Sequence, residues 1–485
     1  MADPSLASTA VDADVLVIGT DEHQNLSLHP ELDWVAFEES RAAAERGDTK
    51  IYDEFKKIAE TRPKTKAISS VEVIASYHSP PRKRTVQDFV GYYTARFKAL
   101  ERILKNRPDF QHTTSIHRIL SRREKDSVTF IASVSSKQET KNQNILLTLE
   151  DLTGEIKAVV SKSKPELYAQ ARDLVLDETI GVSGVNGNQV VFVSALCWPD
   201  MPLNRELKKS PEEGFALFLS DIHIGSRFFL KDSFQKFLEW INGNTGNETQ
   251  RAIASKVKYI FIVGDTVDGV GIYPNQDAEL DQKDIYGQYA CAAELLKQIP
   301  SSIPIIICAG NHDAVRIAEP QPELPKDISQ PLWELPNVKM VSNPSWVCIH
   351  RSENFKGFDV LLYHGYSLDY YVANSESVRA QGGYDRPDVL MKFLLTRRHL
   401  APSHTSTLFI PDPEQDALVI ERVPDVFVTG HIHKSAALTY KNTTLICGSC
   451  WQAKTAFQEK VGHNPEPGRV PLLNLQTRDI KILRF

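Results

Sequence analysis

The stretch Ile303–Asp313 reads IPIIICAGNHD, a continuous apolar run that ends in a group of polar residues. An apolar run without polar alternation is typical of a strand that is covered on both faces of a sheet, as in α/β domains. Polar side chains at the end of such a strand need a partner, and ligands of open α/β sheets collect at the carboxyl ends of strands. This stretch therefore predicts an α/β domain with a site at that edge of its sheet.

Other apolar runs end in the same way. They lie at Phe215–Ser220, Tyr259–Val263, Phe358–Tyr363 and Asp425–Thr429, and they are followed by Asp221-Ile222-His223, Gly264-Asp265-Thr266-Val267-Asp268-Gly269, His364-Gly365 and Gly430-His431-Ile432-His433. A further run lies at Thr444–Cys447, and Ser233–Ile241 and Tyr286–Lys297 read as helices between runs. Five of the 14 histidines fall in these motifs, more than core packing explains, so we expect the loops to converge on one site.

The residue types of these motifs fit two divalent metal ions. Carboxylate, imidazole and amide oxygen suit Mn²⁺, Fe²⁺ or Zn²⁺, and no thiolate is required. The i,i+2 spacing of Asp221 and His223 lets both side chains point to one side of an extended loop, and flanking glycines let the backbone come close. Two such ions ~3.5–4 Å apart can activate a water and stabilise the leaving oxygen of a phosphoester. Each motif alone is commonplace, but their ordered recurrence favours a two-metal site.

Between Ser115 and Ala195 the apolar residues alternate, as in Val128, Phe130, Ala132 and Val134. The pattern predicts five strands with one helix, Leu167–Val175, after the third, which is the order of an OB-fold barrel. Single-strand binding needs stacking aromatics, and this region has few: Phe130, Tyr168, Phe192 and Trp198. Protein docking is therefore favoured over nucleic-acid binding for the barrel, and both stay open.

The net charge of −6 conceals an asymmetry near the N-terminus. Residues 1–50 hold 11 acidic and 3 basic residues, whereas residues 51–126 hold 17 basic and 9 acidic ones. The first ~80 residues lack periodicity and read as weakly structured, with short helices possible at 33–46 and 51–60. The basic stretch Ser79–Arg84 is either a solvated linker or a phosphate contact.

A helix begins after Thr85, which has capping-box spacing to Asp88. Its apolar positions recur at three- and four-residue steps, and it ends before Pro108; they are Phe89, Tyr93, Phe97, Leu100 and Leu104. This face packs on its own domain or docks a partner.

These observations divide the 485 residues into five parts. They are an arm at 1–84, a linking helix at 85–112, the OB-fold at 113–199, a linker at 200–213 and the α/β domain at 214–485. No apolar run approaches the ~18 residues that span a membrane, and the acidic N-terminus is unlike a secretory signal. Six scattered cysteines favour a reducing cytoplasm; Cys447 and Cys450 form a Cys-x-x-Cys that lacks the second pair zinc needs.

The metal-type motifs are similar to those of the calcineurin-like metallophosphoesterase superfamily, which includes the double-strand-break repair nucleases. The order of OB-fold and then phosphoesterase resembles the small subunit of the archaeal family D DNA polymerase. The stretches that carry this resemblance are Gly310–Arg316, Glu319–Pro322, Trp451-Gln452 and Pro467–Pro471. It covers about residues 85–485 and implies a barrel followed by a calcineurin-like α/β sandwich.

The resemblance also implies roles for single residues. One metal would be held by Asp221, His223, Asp265 and His433, and the other by Asp265, Asn311, His364 and His431, with Asp265 bridging. His312 would contact the scissile phosphate and protonate the leaving oxygen, and Asp268 would orient His312. Arg316, at the end of the same motif, is assigned to substrate binding. An imidazole can supply such a proton near neutral pH.

Three functions follow as hypotheses. The first is a Mn²⁺-dependent 3′→5′ exonuclease that proofreads DNA 3′ ends as the small subunit of a replicative polymerase heterodimer. The second is mainly a scaffold for the large catalytic subunit, and it is compatible with the first. The third is a free-standing metallophosphatase or cyclic-nucleotide phosphodiesterase, in which an appended OB-fold has no obvious use.

Overall fold

The computed structural model describes residues 71–122, 125–455, 458–459 and 463–485, and the backbone of a strand at Asp14–Val17. The short helices expected at 33–46 and 51–60 lie outside the described residues. Within the described part, the longest and most apolar helices still fall short of what a bilayer crossing requires.

The strands are numbered in chain order. They are β1 Asp14–Val17, β2 Glu72–Ser76, β3 Ser127–Glu139, β4 Ile145–Asp151, β5 Gly154–Val160, β6 Thr179–Asn186, β7 Val190–Cys197, β8 Phe215–Leu219, β9 Val257–Val263, β10 Ile305–Cys308, β11 Val338–Val341, β12 Ser345–Ile349, β13 Phe358–Leu362, β14 Val426–Thr429, β15 Ala436–Tyr440, β16 Thr443–Cys447, β17 Arg469–Asn474 and β18 Ile480–Arg484. The α-helices are α1 Val86–Lys105, α2 Ile116–Ser121, α3 Pro165–Arg172, α4 Lys231–Ile241, α5 Glu248–Ala254, α6 Ile285–Leu296, α7 Gln330–Trp333, α8 Leu368–Asn374, α9 Glu376–Ala380 and α10 Pro387–Arg397.

The alternating segment folds into a closed barrel in the order β3-β4-β5-β7-β6. Its inward phase includes Val128, Phe130, Ala132 and Val134, all of which are buried. Helix α3 follows the third strand, which is the connectivity of an OB-fold. The period-two pattern therefore predicted both the strands and their inner face.

After the barrel, two mixed sheets pack face to face. One has the order β1-β18-β17-β8-β9-β10-β11 and the other β15-β16-β14-β13-β12-β2. Side chains from both sheets, among them Phe218, Phe261, Val360 and Val428, form one buried cluster between them. Helices α4 and α6 cover the outer face of the first sheet, and α10 covers that of the second. The result is four layers, helices outside and sheets inside.

Every continuous apolar run lies in a strand of this sandwich: β8, β9 and β10 in the first sheet, and β13, β14 and β16 in the second. Within each trio the neighbours pair in parallel, which brings their carboxyl ends to one edge. The prediction lacked the outer strands, including β2, which falls in the expected irregular arm and pairs antiparallel with β12. Strand β2 is partly exposed, so its sequence carries no long apolar run.

Helix α1 joins the barrel to the sandwich. The Asp88 carboxylate accepts a hydrogen bond from the Thr85 backbone N–H at 2.7 Å, the cap that the spacing predicts. Farther along, Phe97 and Leu104 pack against the barrel, while Leu100 packs against the sandwich. The first turns differ, because Phe89 is 42% exposed. The apolar face is thus buried in its second half and open in its first.

A buried ionic group, which we call the joint cluster, ties α1 to the sandwich. It consists of Arg96, His399 and Asp416. Arg96 Nε donates to Asp416 Oδ2 at 2.6 Å, and His399 Nε2 lies 2.8 Å from the same oxygen. Beside it, Arg397 of α10 pairs with Glu178 of the barrel at 2.8 Å. These contacts fix the barrel against the sandwich.

Candidate metal centre

The predicted loops meet at the carboxyl edge of the two parallel trios. Several of their residues adopt left-handed backbone conformations: Asp221, His223, Asp265, His431 and His433, with φ between 50° and 71°. For a residue with a Cβ, this conformation costs about 1–2 kcal/mol. Such strain clusters at functional sites, where the surrounding fold holds it in place.

Two glycines of the motifs are required by close approach. A Cβ on Gly264, whose φ is +84°, would lie 2.2 Å from His364 Nδ1. A Cβ on Gly310 would lie 2.2 Å from Asp265 Oδ1. Backbone and ligand side chains therefore share space that only glycine leaves free.

Three overlapping groups bring possible ligand atoms within 4.8 Å of one another: Asp221, His223 and His433; Asp221, Asp265 and His364; and His223, Asp265 and His312. His433 Nε2 lies 3.4 Å from Asp221 Oδ1, and His364 Nε2 lies 3.3 Å from Asp265 Oδ2. Asn311 joins them, because its Oδ1 is 2.9 Å from His364 Nε2. All but one of the predicted metal ligands therefore converge.

The exception is His431, whose side chain is in none of these groups. Its Nε2 lies 3.0 Å from Asp369 Oδ2, and its ring centroid is 5.2 Å from that of His364. Its backbone N–H donates to Asp221 Oδ2 at 2.9 Å. The structure thus places His431 beside the predicted second metal position, with its ring directed to a carboxylate that the sequence pattern does not mark.

The donor set fits divalent cations. His223 and His364 bind acceptors through Nδ1, the Asp268 carboxylate at 3.0 Å and the Val263 carbonyl at 2.9 Å. Because Nδ1 carries the hydrogen, the Nε2 lone pair of each ring is left for a metal. The Nε2 atoms of His223 and His433 face each other at 3.1 Å. Lone pairs and carboxylate oxygens that converge this closely need a cation among them.

The electrostatics agree. Burial alone would raise the pKa of Asp265, but His364 and His312 outweigh it and hold that pKa well below its ordinary value. Burial alone would lower the pKa of His364, yet Asp265 and Asp221 raise it to about 10. The pKa of Asp221 is likewise lowered, since His433 outweighs its burial. Ionised carboxylates dominate the site and attract cations.

The position of Asp268 differs from the role that the resemblance implied. His312 Nδ1 bonds to the backbone carbonyl of Asp268 at 2.8 Å, not to its carboxylate. The carboxylate is engaged by His223 and by the amides of Gln276 and Gln452, each at 3.0 Å. Asp268 therefore orients His312 through its main chain and His223 through its side chain.

Arg316 is also placed differently. Its guanidinium donates to the carbonyls of Ala318 at 3.2 Å and Pro320 at 2.6 Å, and it lies 5.8 Å from the centroid of the Tyr77 ring. These loop carbonyls satisfy the guanidinium, so Arg316 does not line the cleft. The expectation that it contacts substrate is corrected accordingly.

Sequence reasoning missed several supporting side chains. Gln458 lies 2.9 Å from His433 Nδ1, and Gln321 binds the Gly310 carbonyl at 3.1 Å. Gln321 and Gln452 belong to stretches quoted for the family resemblance, which was the available signal. Nothing in the sequence pattern singled out Asp369 or Gln276. Cys447 and Cys450 are buried thiols, and burial raises the pKa of Cys447 to about 12.

A cleft of about 280 Å³ opens over the centre. It is lined by His223, Asp265, Ile272, Tyr273, Asn311, His312, Ile317, Tyr366, Asp369, His431, His433, Gln452, Thr455, Gln458 and His463. Most of these residues are the predicted ligands and their partners, and four are tyrosine or isoleucine.

Comparison with known proteins defines the class first. Residues 216–437 match the family model that describes the B subunits of DNA polymerases alpha and epsilon. That match spans the first strand of the sandwich through most of the ligand loops, so the class is the B subunits of DNA polymerases.

Whole-chain relatives narrow the class. The DNA polymerase II small subunit of Methanothermobacter thermautotrophicus is 38% identical over 82% of this chain and 80% of its own length. That of Pyrococcus furiosus is 37% identical over 82% of this chain and 64% of its own length. That of Archaeoglobus fulgidus is 38% identical over 79% and 74%. The chain therefore belongs to the family of archaeal DNA polymerase II small subunits.

Likeness to solved structures is limited. The asparaginyl-tRNA synthetase of Pyrococcus horikoshii matches at 21% identity over 18% of this chain and 22% of its own, with a TM-score of 0.16. A score this low supports no statement about a shared fold.

Proposed function

We propose that this subunit carries a two-metal 3′→5′ exonuclease that removes mismatched nucleotides from DNA 3′ ends. The observation that carries the proposal is the convergence of buried Asp221, Asp265, His223, His364 and His433, with His312 in contact with the same group. A set of this size with one sign of excess charge has no structural use without cations.

Two ion positions follow from the groups. Asp221, His223, Asp265 and His433 would hold one ion, and Asp265, Asn311, His364 and His431 the other, with Asp265 shared. When bound, two divalent ions, Mn²⁺ first and Fe²⁺ or Zn²⁺ as alternatives, supply an activated water and neutralise charge on a phosphodiester. The side chains that hold them are acceptors, and no lysine or arginine competes among the described cleft residues.

His312 would protonate the leaving 3′ oxygen. Its Nδ1 is held by the Asp268 carbonyl, so Nε2 is the atom that transfers the proton. Burial lowers the pKa of His312, an effect that Asp265 and Asp268 partly oppose. A phosphate anion beside the ring would favour the protonated form, and the buried imidazolium then gives up its proton readily.

We further propose that residues 214–485 form a calcineurin-like phosphoesterase domain, preceded by the arm at 1–84, the linking helix at 85–112, the OB-fold at 113–199 and the linker at 200–213. The four-layer arrangement with ligands at the carboxyl ends of parallel strands supports this division. Strand β2 adds part of the arm to the second sheet.

The partner is proposed to be a large polymerising subunit, and the substrate a single-stranded or mismatched 3′ end. The relatives are named small subunits, which supports a larger companion. The open half of α1, with Val86 80% and Val90 51% exposed, offers an apolar surface for a protein. Scaffolding and nuclease functions are compatible.

The test uses the full chain with its large subunit, Mn²⁺ and a primer with a mismatched 3′ end. His312→Ala and Asp265→Ala should each abolish nucleotide release, while His117→Ala, at an exposed histidine, should not. Circular dichroism checks that the variants fold. Retained release in both site variants would refute the proposal. Hydrolysis of an aryl phosphate by a chain that leaves DNA intact would favour the phosphatase alternative.

A further inference from the structure

Two tyrosines line the cleft on opposite sides of Asp265. The Tyr273 ring centroid is 6.3 Å from that of His312, and the Tyr366 centroid is 5.7 Å from that of His431. His312 belongs to the group that contains His223, whereas His431 packs on His364. Asp265 lies between, with Oδ2 at 3.9 Å from His223 Nε2 and 3.3 Å from His364 Nε2.

These rings are held beside an apolar lip. Both tyrosines are half-buried, and Ile272 and Ile317 line the same cleft at 38% and 43% exposure. The Tyr273 hydroxyl donates to Glu279 Oε2 at 2.9 Å, which restricts its ring. Metal binding and proton transfer use none of these apolar surfaces. A flat hydrophobic ligand next to a phosphodiester would use them, and a nucleobase is such a ligand.

We propose that Tyr366 is the stacking platform for the 3′-terminal base and that Tyr273 contacts the preceding base. This assignment rests on the proposed exonuclease. The oxygen that His312 protonates belongs to the nucleotide that stays on the strand, so that nucleotide lies on the side of His312 and Tyr273. The released nucleotide then lies across Asp265, on the side of His431 and Tyr366.

The platform gives the site a substrate preference. A base can stack on a side chain only after it leaves the duplex, and unpairing is least costly for a mismatched or single-stranded end. Tyr366 would therefore favour frayed termini without reading the identity of the base, because every base has an aromatic face.

The experiment measures single-nucleotide release by the full chain with its large subunit and Mn²⁺ on three single-stranded oligonucleotides. One is normal, one is abasic at the terminal position and one is abasic at the penultimate position. Tyr366→Ala should raise KM about tenfold on the normal substrate, the size expected for one lost stacked base, and leave KM unchanged on the terminally abasic one. Tyr366→Phe, which keeps the ring, should restore the wild-type KM.

Tyr273→Ala should show the complementary pattern, with its KM effect absent only on the penultimately abasic substrate. Tyr286→Ala, at an exposed tyrosine on α6, is the matched control and should behave as wild type on all three. A swapped positional pattern would overturn the assignment of the two sides.

Failure of the platform and failure of the exonuclease are distinguishable. Wild-type protein that releases no nucleotide from any substrate contradicts the proposed function and the platform with it. Active wild-type protein with equal KM for Tyr366→Ala on all substrates contradicts the platform alone. A loss confined to kcat and equal on normal and abasic ends would show that Tyr366 acts by positioning His431, which also overturns the platform.

Discussion

The molecule contains two buried clusters of ionisable side chains that differ in how their charges are matched. In the joint cluster, Asp416 accepts from Arg96 at 2.6 Å, lies 2.8 Å from His399 Nε2 and accepts from the Leu418 N–H at 2.9 Å. His399 Nδ1 in turn accepts from the Ala401 N–H at 2.9 Å. Every group has a partner inside the protein. In the metal centre, carboxylate oxygens and imidazole lone pairs face one another instead.

The two clusters shift histidine in opposite directions. Burial and the Arg96 charge lower the pKa of His399 to about 4. In the metal centre, Asp265 and Asp221 overcome burial and raise the pKa of His364 to about 10. Burial of charged residues is therefore no sign of function by itself. An excess of one charge that the protein leaves unmatched is the feature that points to a ligand.

The sharpest way to break the comparison is to neutralise one aspartate in each cluster. Asp265→Asn should reduce nuclease activity by at least about a thousandfold, because metal charge stabilisation is worth several kcal/mol. Without added metal it should not lower the free energy of unfolding, since it relieves repulsion with Asp221. Nucleotide release and urea unfolding in a chelator measure the two effects. Substantial activity with reduced stability would reverse the assignment.

Asp416→Ala should do the opposite. It leaves the buried Arg96 guanidinium without its carboxylate, so the free energy of unfolding should fall by about 3–5 kcal/mol. Activity per folded molecule at low temperature should persist. Urea unfolding is the measurement, with Asp327→Ala, at an exposed aspartate, as the matched control. A change as small as that of the control would mean that the joint cluster carries no stability.

Gln452→Ala tests the support behind the metal ligands. Gln452 Nε2 donates to Asp268 Oδ1 at 3.0 Å and to Ser226 Oγ at 2.9 Å, and Asp268 holds His223. Loss of such an outer partner typically lowers metal affinity or activity about 10–100-fold. Calorimetric titration with Mn²⁺ would measure it, with Gln330→Ala on α7 as the control. Unchanged affinity would remove Gln452 from the site.

The smallest expected effect is a pH dependence from the joint cluster. Because the folded pKa of His399 is depressed to about 4 from an ordinary value near 6.5, the unfolded chain binds the extra proton first. His399 should therefore stabilise the protein above about pH 6.5, and this stability should be lost between there and about pH 4, by up to about 1.4 kcal/mol per pH unit. Unfolding curves of wild type and His399→Gln should converge as pH falls; parallel curves would contradict this.

The sequence predicted the centre of the fold and most of the site for one physical reason. A strand covered on both faces needs an unbroken apolar run, and a polar group at its end needs a partner, so both leave local patterns around β8, β9, β10, β13 and β14. The outer strands leave weaker patterns: β2 is partly exposed and β15 is half-buried along most of its length.

What the sequence could not predict depends on contacts between distant residues. Arg96 and Asp416 are separated by 320 positions, so no local pattern marks the joint cluster. The same holds for Arg316, whose guanidinium finds loop carbonyls and the Tyr77 ring. It holds for Asp268, because whether its carboxylate or its carbonyl reaches His312 is set by the path of the loop.

The most direct test of the central claim is anomalous X-ray diffraction at the manganese edge from crystals of this protein grown with Mn²⁺. The account predicts two peaks about 3.5–4 Å apart, one next to Asp221, His223 and His433 and the other next to Asn311 and His364, with Asp265 between them. Absence of peaks among these residues, or manganese bound only elsewhere on the surface, would contradict it.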